Sequence, residues 1–202
     1  MVEQERMDKF YQFIRVIMER IDAHFVDQKD YIHCKEGCSK CCENGEYPCS
    51  ELEFEFLKLG FMTLPLETRK IITDKIEQLK KEKAQYKGKK FIYTCPFLIN
   101  HRCSVYRYRM IICRTFGLSY YDMDEKTNKY TVKIPFCSKM GLNYSEVYDP
   151  KINDFSKELY EKTGYEKPPV VYNLGVEFLM NKFGKEIMGL DFGELKTLLE
   201  WL

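Results

Sequence analysis

A chain of 202 residues has room for one domain with a full core. Its 32 lysines and arginines stand against 31 acids, and a formal charge of +1 gives no global electrostatic footprint for nucleic acid. The charged first ten residues, MVEQERMDKF, do not read as a secretory signal, and no apolar run is long enough to span a bilayer, so the expected address is cytoplasmic, with no membrane partner.

Taken in chain order, residues 5–27 read as a helix, because Met7, Phe10, Tyr11, Ile14, Ile17, Met18, Ile21 and Phe25 recur at spacings of three and four with charges between them. Such a stripe packs on the body of the protein or, in the alternative, seats in the groove of a protein partner. Over 29–49 the periodicity gives way to Gly37, Gly45, Pro48 and cysteines, the composition of a loop. Ser50-Glu51-Leu52-Glu53 resembles a capping box, with Gly60 where the helix it opens would end. Pro65 starts a second helix to about residue 83, with Leu66, Ile72, Ile76 and Leu79 on its apolar side and a lysine-rich end that suits the helix dipole.

Residues 91–99 (FIYTCPFLI) have strand composition, Asn100-His101-Arg102 reads as a turn, and Ser104 is placed to cap a short helix over 104–112. Segments 118–121 and 130–134 flank the polar stretch DMDEKTNK and predict a β-hairpin. Pro168-Pro169 divides a helix near 151–163 from helices near 172–183 and 191–202. The expected fold class is α+β, predominantly α-helical with a small β-hairpin region. A single cysteine-rich, metal-centred domain over 1–202 is expected, with its N-terminal helix at 5–27, its metal-binding core at 34–137 and a C-terminal helical segment at 150–202.

Nine cysteines, four of them crowded into 34–42, are more than scattered core packing explains. Disulfides are disfavoured in a reducing compartment, and a chain of this length does not need them in place of a core. Thiolates are soft ligands that favour zinc and iron–sulfur clusters. The spacing Cys38-x2-Cys41 lets one loop present two sulfurs to one metal, with Gly37 supplying the positive φ such a turn often needs. The side chains of the adjacent Cys41 and Cys42 leave the backbone in different directions, which fits two metals or two faces of a cluster better than one small ion. Cys95-Pro96-Phe97-Leu98, Cys103, Cys113-Arg114 and Cys137 form a looser group without a second C-x-x-C, and spacing alone does not assign it to a site. Four of the eight arginines (Arg102, Arg107, Arg109, Arg114) fall beside that group with no acid between them. Arg109 and Arg114 would either offset thiolate charge from outside the ligand shell or bind an anion. His33 and His101 lie near cysteines and read as surface or outer residues rather than ligands.

Cys34-x3-Cys38-x2-Cys41-Cys42, followed by Cys95-Pro96-Phe97-Leu98, Cys103-Ser104-Val105-Tyr106, Arg109 and Cys113-Arg114-Thr115-Phe116-Gly117, resembles the YkgJ-type CxxCxxCC cysteine-cluster family, described as zinc- or iron-chelating. The resemblance spans about residues 34–137. It departs from the family in a first gap of three residues rather than two, and in Met110 where proline commonly follows the arginine. It implies metal ligation by Cys34, Cys38, Cys41, Cys42, Cys95, Cys103, Cys113 and Cys137, and leaves Cys49 outside the pattern. One branch of the family is described as a flagellin lysine N-methylase, but no G-x-G-x-x-G follows a strand in this chain. Cys34-x3-Cys38-x2-Cys41 also matches the ligand spacing of radical S-adenosylmethionine enzymes, although the barrel that surrounds such a site is not evident.

The expected function is therefore binding of metal ions, as an iron–sulfur cluster or zinc, in a redox, carrier or maturation role. The adjacent cysteine pair and the missing second C-x-x-C favour iron–sulfur. The alternatives are a protein lysine methyltransferase-like enzyme with an open cluster site and a zinc-stapled protein-interaction scaffold. The partners expected are thus metal and a protein partner or substrate, without nucleic acid.

Overall fold

The three- and four-residue spacing of the N-terminal stripe produces α1 (Gln4–Asp27). Met7, Phe10, Ile14, Ile17 and Ile21 are buried along it, as is Phe13, which the stripe omitted, while Tyr11 is half exposed. The computed structural model describes residues 4–124 and 129–202. It is 51% helical and 13% strand, so helices carry the architecture and strands appear as antiparallel pairs. By its contacts the chain divides into two compact units, one of Met1–Phe10, Gly37–Arg114 and Asp191–Leu202, the other of Tyr11–Glu36 and Thr115–Leu190.

In the first unit, α2 (Lys40–Glu43) is a single turn and β1 (Pro48–Ser50) leads directly into α3 (Glu51–Met62). The loop expected over 29–49 thus contains a helical turn and ends in a strand. The capping box forms as predicted, with Ser50 Oγ accepting from Glu53 N while the Glu53 carboxylate accepts from Ser50 N. Gly60, however, lies inside α3. A Cβ there would meet Tyr108 Cγ at 2.4 Å and Cβ at 2.6 Å, so glycine is required for close approach rather than termination. Gly60→Ala is expected to lower the urea midpoint, because about 1–3 kcal/mol of overpacking against the ring base outweighs the ~1 kcal/mol that alanine gains in a helix. A higher midpoint for the variant would contradict this packing.

Pro65 caps α4 (Leu66–Gln85), whose Ile72 and Leu79 are buried. Leu66, expected on the apolar face, is exposed. Residues 91–99 form a strand only at β2 (Leu98–Ile99), which pairs with β3 (Arg102–Cys103). The turn expected at Asn100-His101-Arg102 falls on Asn100 and His101, at φ of 49° and 60°, the left-handed pair that a two-residue hairpin turn demands, while Arg102 already belongs to β3. The helix expected over 104–112 is broken. A 3-10 turn at Tyr106–Tyr108 gives way to an extended Arg109 (ψ 152°), and α5 (Ile111–Thr115) begins afresh. Ser104 does not cap it; its hydroxyl donates to the Phe97 carbonyl. The interruption persists because the Arg114 guanidinium takes up the carbonyls it frees, those of Arg107 and Arg109.

Where a helix was expected at 191–202, the chain forms β8 (Leu195–Thr197) and one turn, α7 (Leu198–Trp201). Pairing of Leu195 with Ser50 and of Thr197 with Pro48 satisfies the edge of β1, a long-range contact that overrides local pattern. The core of this unit gathers Leu57, Ile72, Phe97, Val105, Met110 and Leu198 around the fully buried Cys49.

The second unit holds β4 (Tyr120–Asp124) and β5 (Lys129–Lys133), the predicted hairpin, in the register Tyr121↔Val132 and Met123↔Tyr130. Residues 125–128, between the two strands in sequence, lie outside the described residues. A 3-10 turn at Phe136–Met140 carries Cys137, and β6 (Tyr148–Asp149) pairs with β7 (Asp154–Phe155). The helix expected near 151–163 is the shorter α6 (Lys157–Thr163), stopped by Gly164 in the left-handed conformation rather than by the prolines. After them the chain forms a π-helix, Glu177–Ile187. The core here is Tyr31, Tyr144 and Val147, with the first two rings stacked 5.6 Å apart.

Candidate metal centre

The first unit brings four of the predicted cysteines into one electrostatic neighbourhood. The left-handed Gly37 (φ 87°) turns the chain ahead of Cys38, and α2 then presents Cys41 and Cys42 from one helical turn, not from extended backbone. Long-range backbone bonds fasten this turn to the strand-like segment that follows α4. Gly45 and Tyr93 exchange N–H···O bonds of 3.1 and 3.3 Å, Cys95 N donates to the Cys42 carbonyl at 2.7 Å, and Tyr47 Oη donates to the Cys41 carbonyl at 2.8 Å. Cys103 arrives through the β2–β3 hairpin, opposite Leu98. Cys113 arrives on α5, whose first amide, Ile111 N, donates to Glu53 Oε1 at 2.7 Å.

Burial is the main force on these thiols. It pushes Cys95 up to about 12, lifts Cys103 above its ordinary value and raises Cys113 far above it. Their mutual charges act in the same direction. Cys95 is raised further by Cys103 and Cys41, Cys103 by Cys41, and Cys113 by Cys95, Cys103 and Cys41. All six pairs among Cys41, Cys95, Cys103 and Cys113 are therefore coupled. The Tyr47 phenol is raised by burial first and then by Cys41, Cys113, Cys42 and Cys95, which marks it as a wall of the same site. Sequence reasoning missed Tyr47, and its only signal was proximity to Cys42.

The arginines oppose this accumulation of charge. Arg109 and Arg114 both favour the ionised form of Cys103, and Arg109 does the same for Cys113. Arg114 is buried. Its Nε donates to the Arg109 carbonyl at 3.0 Å and its Nη2 to the Arg107 carbonyl at 2.6 Å. Burial and Arg109 lower its pKa to about 10, while Cys113 and Glu53 favour its charge. Arg109 stacks its guanidinium 3.9 Å over the Tyr106 ring, and its buried Nε has no hydrogen-bond partner.

The remaining predicted ligands divide differently. Cys38 is half-buried in the first unit and lies outside the quartet. Cys34 and Cys137 both belong to the second unit, where Cys34 first, and then burial, push the Cys137 thiol well above its ordinary value. His33 pairs with Glu146, and His101 Nδ1 lies 3.2 Å from Ser39 Oγ. Cys49 is buried in the apolar core. Among the described residues, no three His, Cys, Asp or Glu side chains are drawn up as a metal-holding group, so the quartet is coupled through charge rather than through contact at a common point.

No family model, curated protein or solved structure matches the chain, so the role of the site is argued from its own residues.

Proposed function

We propose that the protein binds metal through thiolates of Cys41, Cys95, Cys103 and Cys113, in a redox, carrier or maturation role. The observation that carries this reading is the set of long-range backbone hydrogen bonds, Cys95 N to the Cys42 carbonyl and Gly45 with Tyr93, that ties the Cys41–Cys42 turn to the segment of Cys95; the raised pKa values of Cys95, Cys103 and Cys113 are consistent with it. Four thiolates are the donor set of a closed zinc site and of an iron–sulfur cluster alike. The irregular spacing of these four cysteines favours the cluster, which supplies one-electron transfer when bound. Ligation requires the thiols to release their protons, and Arg109 and Arg114 lower the cost of leaving negative sulfur in a buried place. The hydrogen bonds of Arg114 to two backbone carbonyls favour charge compensation over capture of a free anion.

The test is anaerobic purification followed by metal and acid-labile sulfide analysis and a visible spectrum. The expected result is iron with sulfide and a brown colour. A colourless protein with stoichiometric zinc would keep the ligands and replace the cluster. Absence of both metals, with the four thiols fully reactive in the native state, would overturn the reading.

A further inference from the structure

A cavity of about 300 Å³ opens within the second unit, and the described residues that line it include no cysteine. One wall is a face of α1. Ile17 and Ile21 form a buried floor, and Arg20 and His24 stand beside them at the same three- and four-residue spacing. The opposite wall is the π-helix Glu177–Ile187. Its Phe178 and Phe183 are five residues apart, which on an α-helix would set them about 140° from each other. The i→i+5 hydrogen bonds of a π-helix bring residues at that spacing to one side, and both rings line the cavity. Such turns are rare and recur at functional sites.

The chain that joins the two walls is pinned to its neighbours. Gln28 Oε1 accepts from Val170 N at 2.8 Å, Tyr172 Oη donates to Asp27 Oδ2 at 2.7 Å, and Tyr172 N donates to the Ser119 carbonyl at 3.1 Å. His24 stacks on the Tyr172 ring with 3.8 Å between centroids. A site held in this way loses little freedom when a ligand arrives. Its charge is that of one cation. Lys167 and Tyr172 both bond the Asp27 carboxylate. Burial pushes His24 below its ordinary value, so the imidazole is neutral at neutral pH. The Arg20 guanidinium stands 5.2 Å from the centre of the Phe183 ring, and among the described residues no carboxylate pairs with it. The cavity thus combines aromatic faces, an apolar floor and one fork of donors that matches a carboxylate.

We infer that this cavity binds a small aromatic monocarboxylate, with its ring among Tyr172, Phe178 and Phe183 and its carboxylate on Arg20. The volume lies at the lower end of the roughly 300–1,000 Å³ of ligand pockets, which suits one ring on a short chain rather than a larger cofactor. The test titrates the full-length protein, as purified, with phenylacetate, phenylacetamide and phenethylamine, followed by calorimetry and by NMR of labelled phenylalanine, tyrosine and histidine. The expected result is one saturable site per chain for phenylacetate, with shifts at His24, Tyr172, Phe178 and Phe183. The amide and the amine are expected to bind about ten-fold more weakly or less, because each lacks the charge that Arg20 meets. Arg20→Gln, a change at an exposed position, is expected to weaken phenylacetate about ten-fold, to the level of the amide. The inference is overturned if phenylacetate does not saturate, or if its shifts fall elsewhere on the chain. It is equally overturned if the amide or the amine binds as well as the acid, or if Arg20→Gln leaves the affinity unchanged.

Discussion

Cys113→Ser is expected to reduce bound metal to background, whereas Cys49→Ser is expected to keep it. Cys113 is coupled to each of the other three thiols of the quartet and sits on α5, which Glu53 and Arg114 hold in place. Serine at a ligand position offers neither a thiolate nor a soft donor. A ligand present at about a thousand times its Kd stabilises the fold by about 4 kcal/mol, and for a chain of this size that is roughly 8–16 °C of melting temperature. The variant should therefore melt lower than the loaded wild type by that order, and should no longer respond to a chelator. Cys49 presents the opposite case. It is fully buried among Leu57, Ile72 and Leu198, so a hydroxyl there costs about 1–3 kcal/mol, softened by the Ser50 carbonyl that already lies 3.5 Å from its sulfur. Its expected signature is a lower melting temperature with full metal content, read from thermal unfolding and elemental analysis of the same preparations. Equal metal content in the two variants would remove Cys113 from the ligand set.

The contrast between these cysteines also shows where the sequence was legible. Features written in local chemistry were found: the apolar stripe of α1, the Ser50–Glu53 capping box, the Asn100-His101 turn and the hairpin around 125–128. Each rests on residues a few positions apart that need no distant partner. Features that depend on distant backbone were not. The interruption at Arg109 is set by the guanidinium of Arg114, and β8 exists because β1 leaves an edge to be paired. The grouping of the sulfurs has the same origin. Cys34 and Cys38 are near neighbours in sequence yet belong to different units, whereas Cys41 joins Cys95 because Gly45 pairs with Tyr93 and Cys42 with Cys95. A list of cysteines records how many soft ligands a chain has, but the long-range hydrogen bonds decide which of them share a charge environment.

Glu53→Ala is expected to be the most damaging change outside the cysteines, at about 3–5 kcal/mol, because it leaves a set of buried donors without their acceptor. The Glu53 side chain is almost wholly excluded from solvent. One oxygen accepts from Ser50 N at 2.9 Å and Ser50 Oγ at 2.7 Å, and the other from Ile111 N at 2.7 Å. It therefore closes the start of α3 and fixes the start of α5, the helix that bears Cys113. Glu53→Gln keeps the shape but turns an NH2 group toward one of those donors, which orphans it at about 1–3 kcal/mol. The two variants should also differ from wild type in their response to pH. Burial raises the Glu53 pKa above its ordinary 4.5, against the lowering effect of Ser50, Ile111 and Arg114. A raised folded pKa means that the folded protein binds this proton more tightly than the unfolded chain does. Its stabilising contribution is thus fully present below 4.5 and is lost as pH rises through the folded value. Glutamine has no such proton, so the stability gap between wild type and Glu53→Gln should narrow as pH rises from about 4, measured by urea unfolding across a pH series. A gap that widens with pH would mean that the three donors and Arg114 outweigh burial, and that Glu53 is held as a carboxylate whose charge faces Arg114.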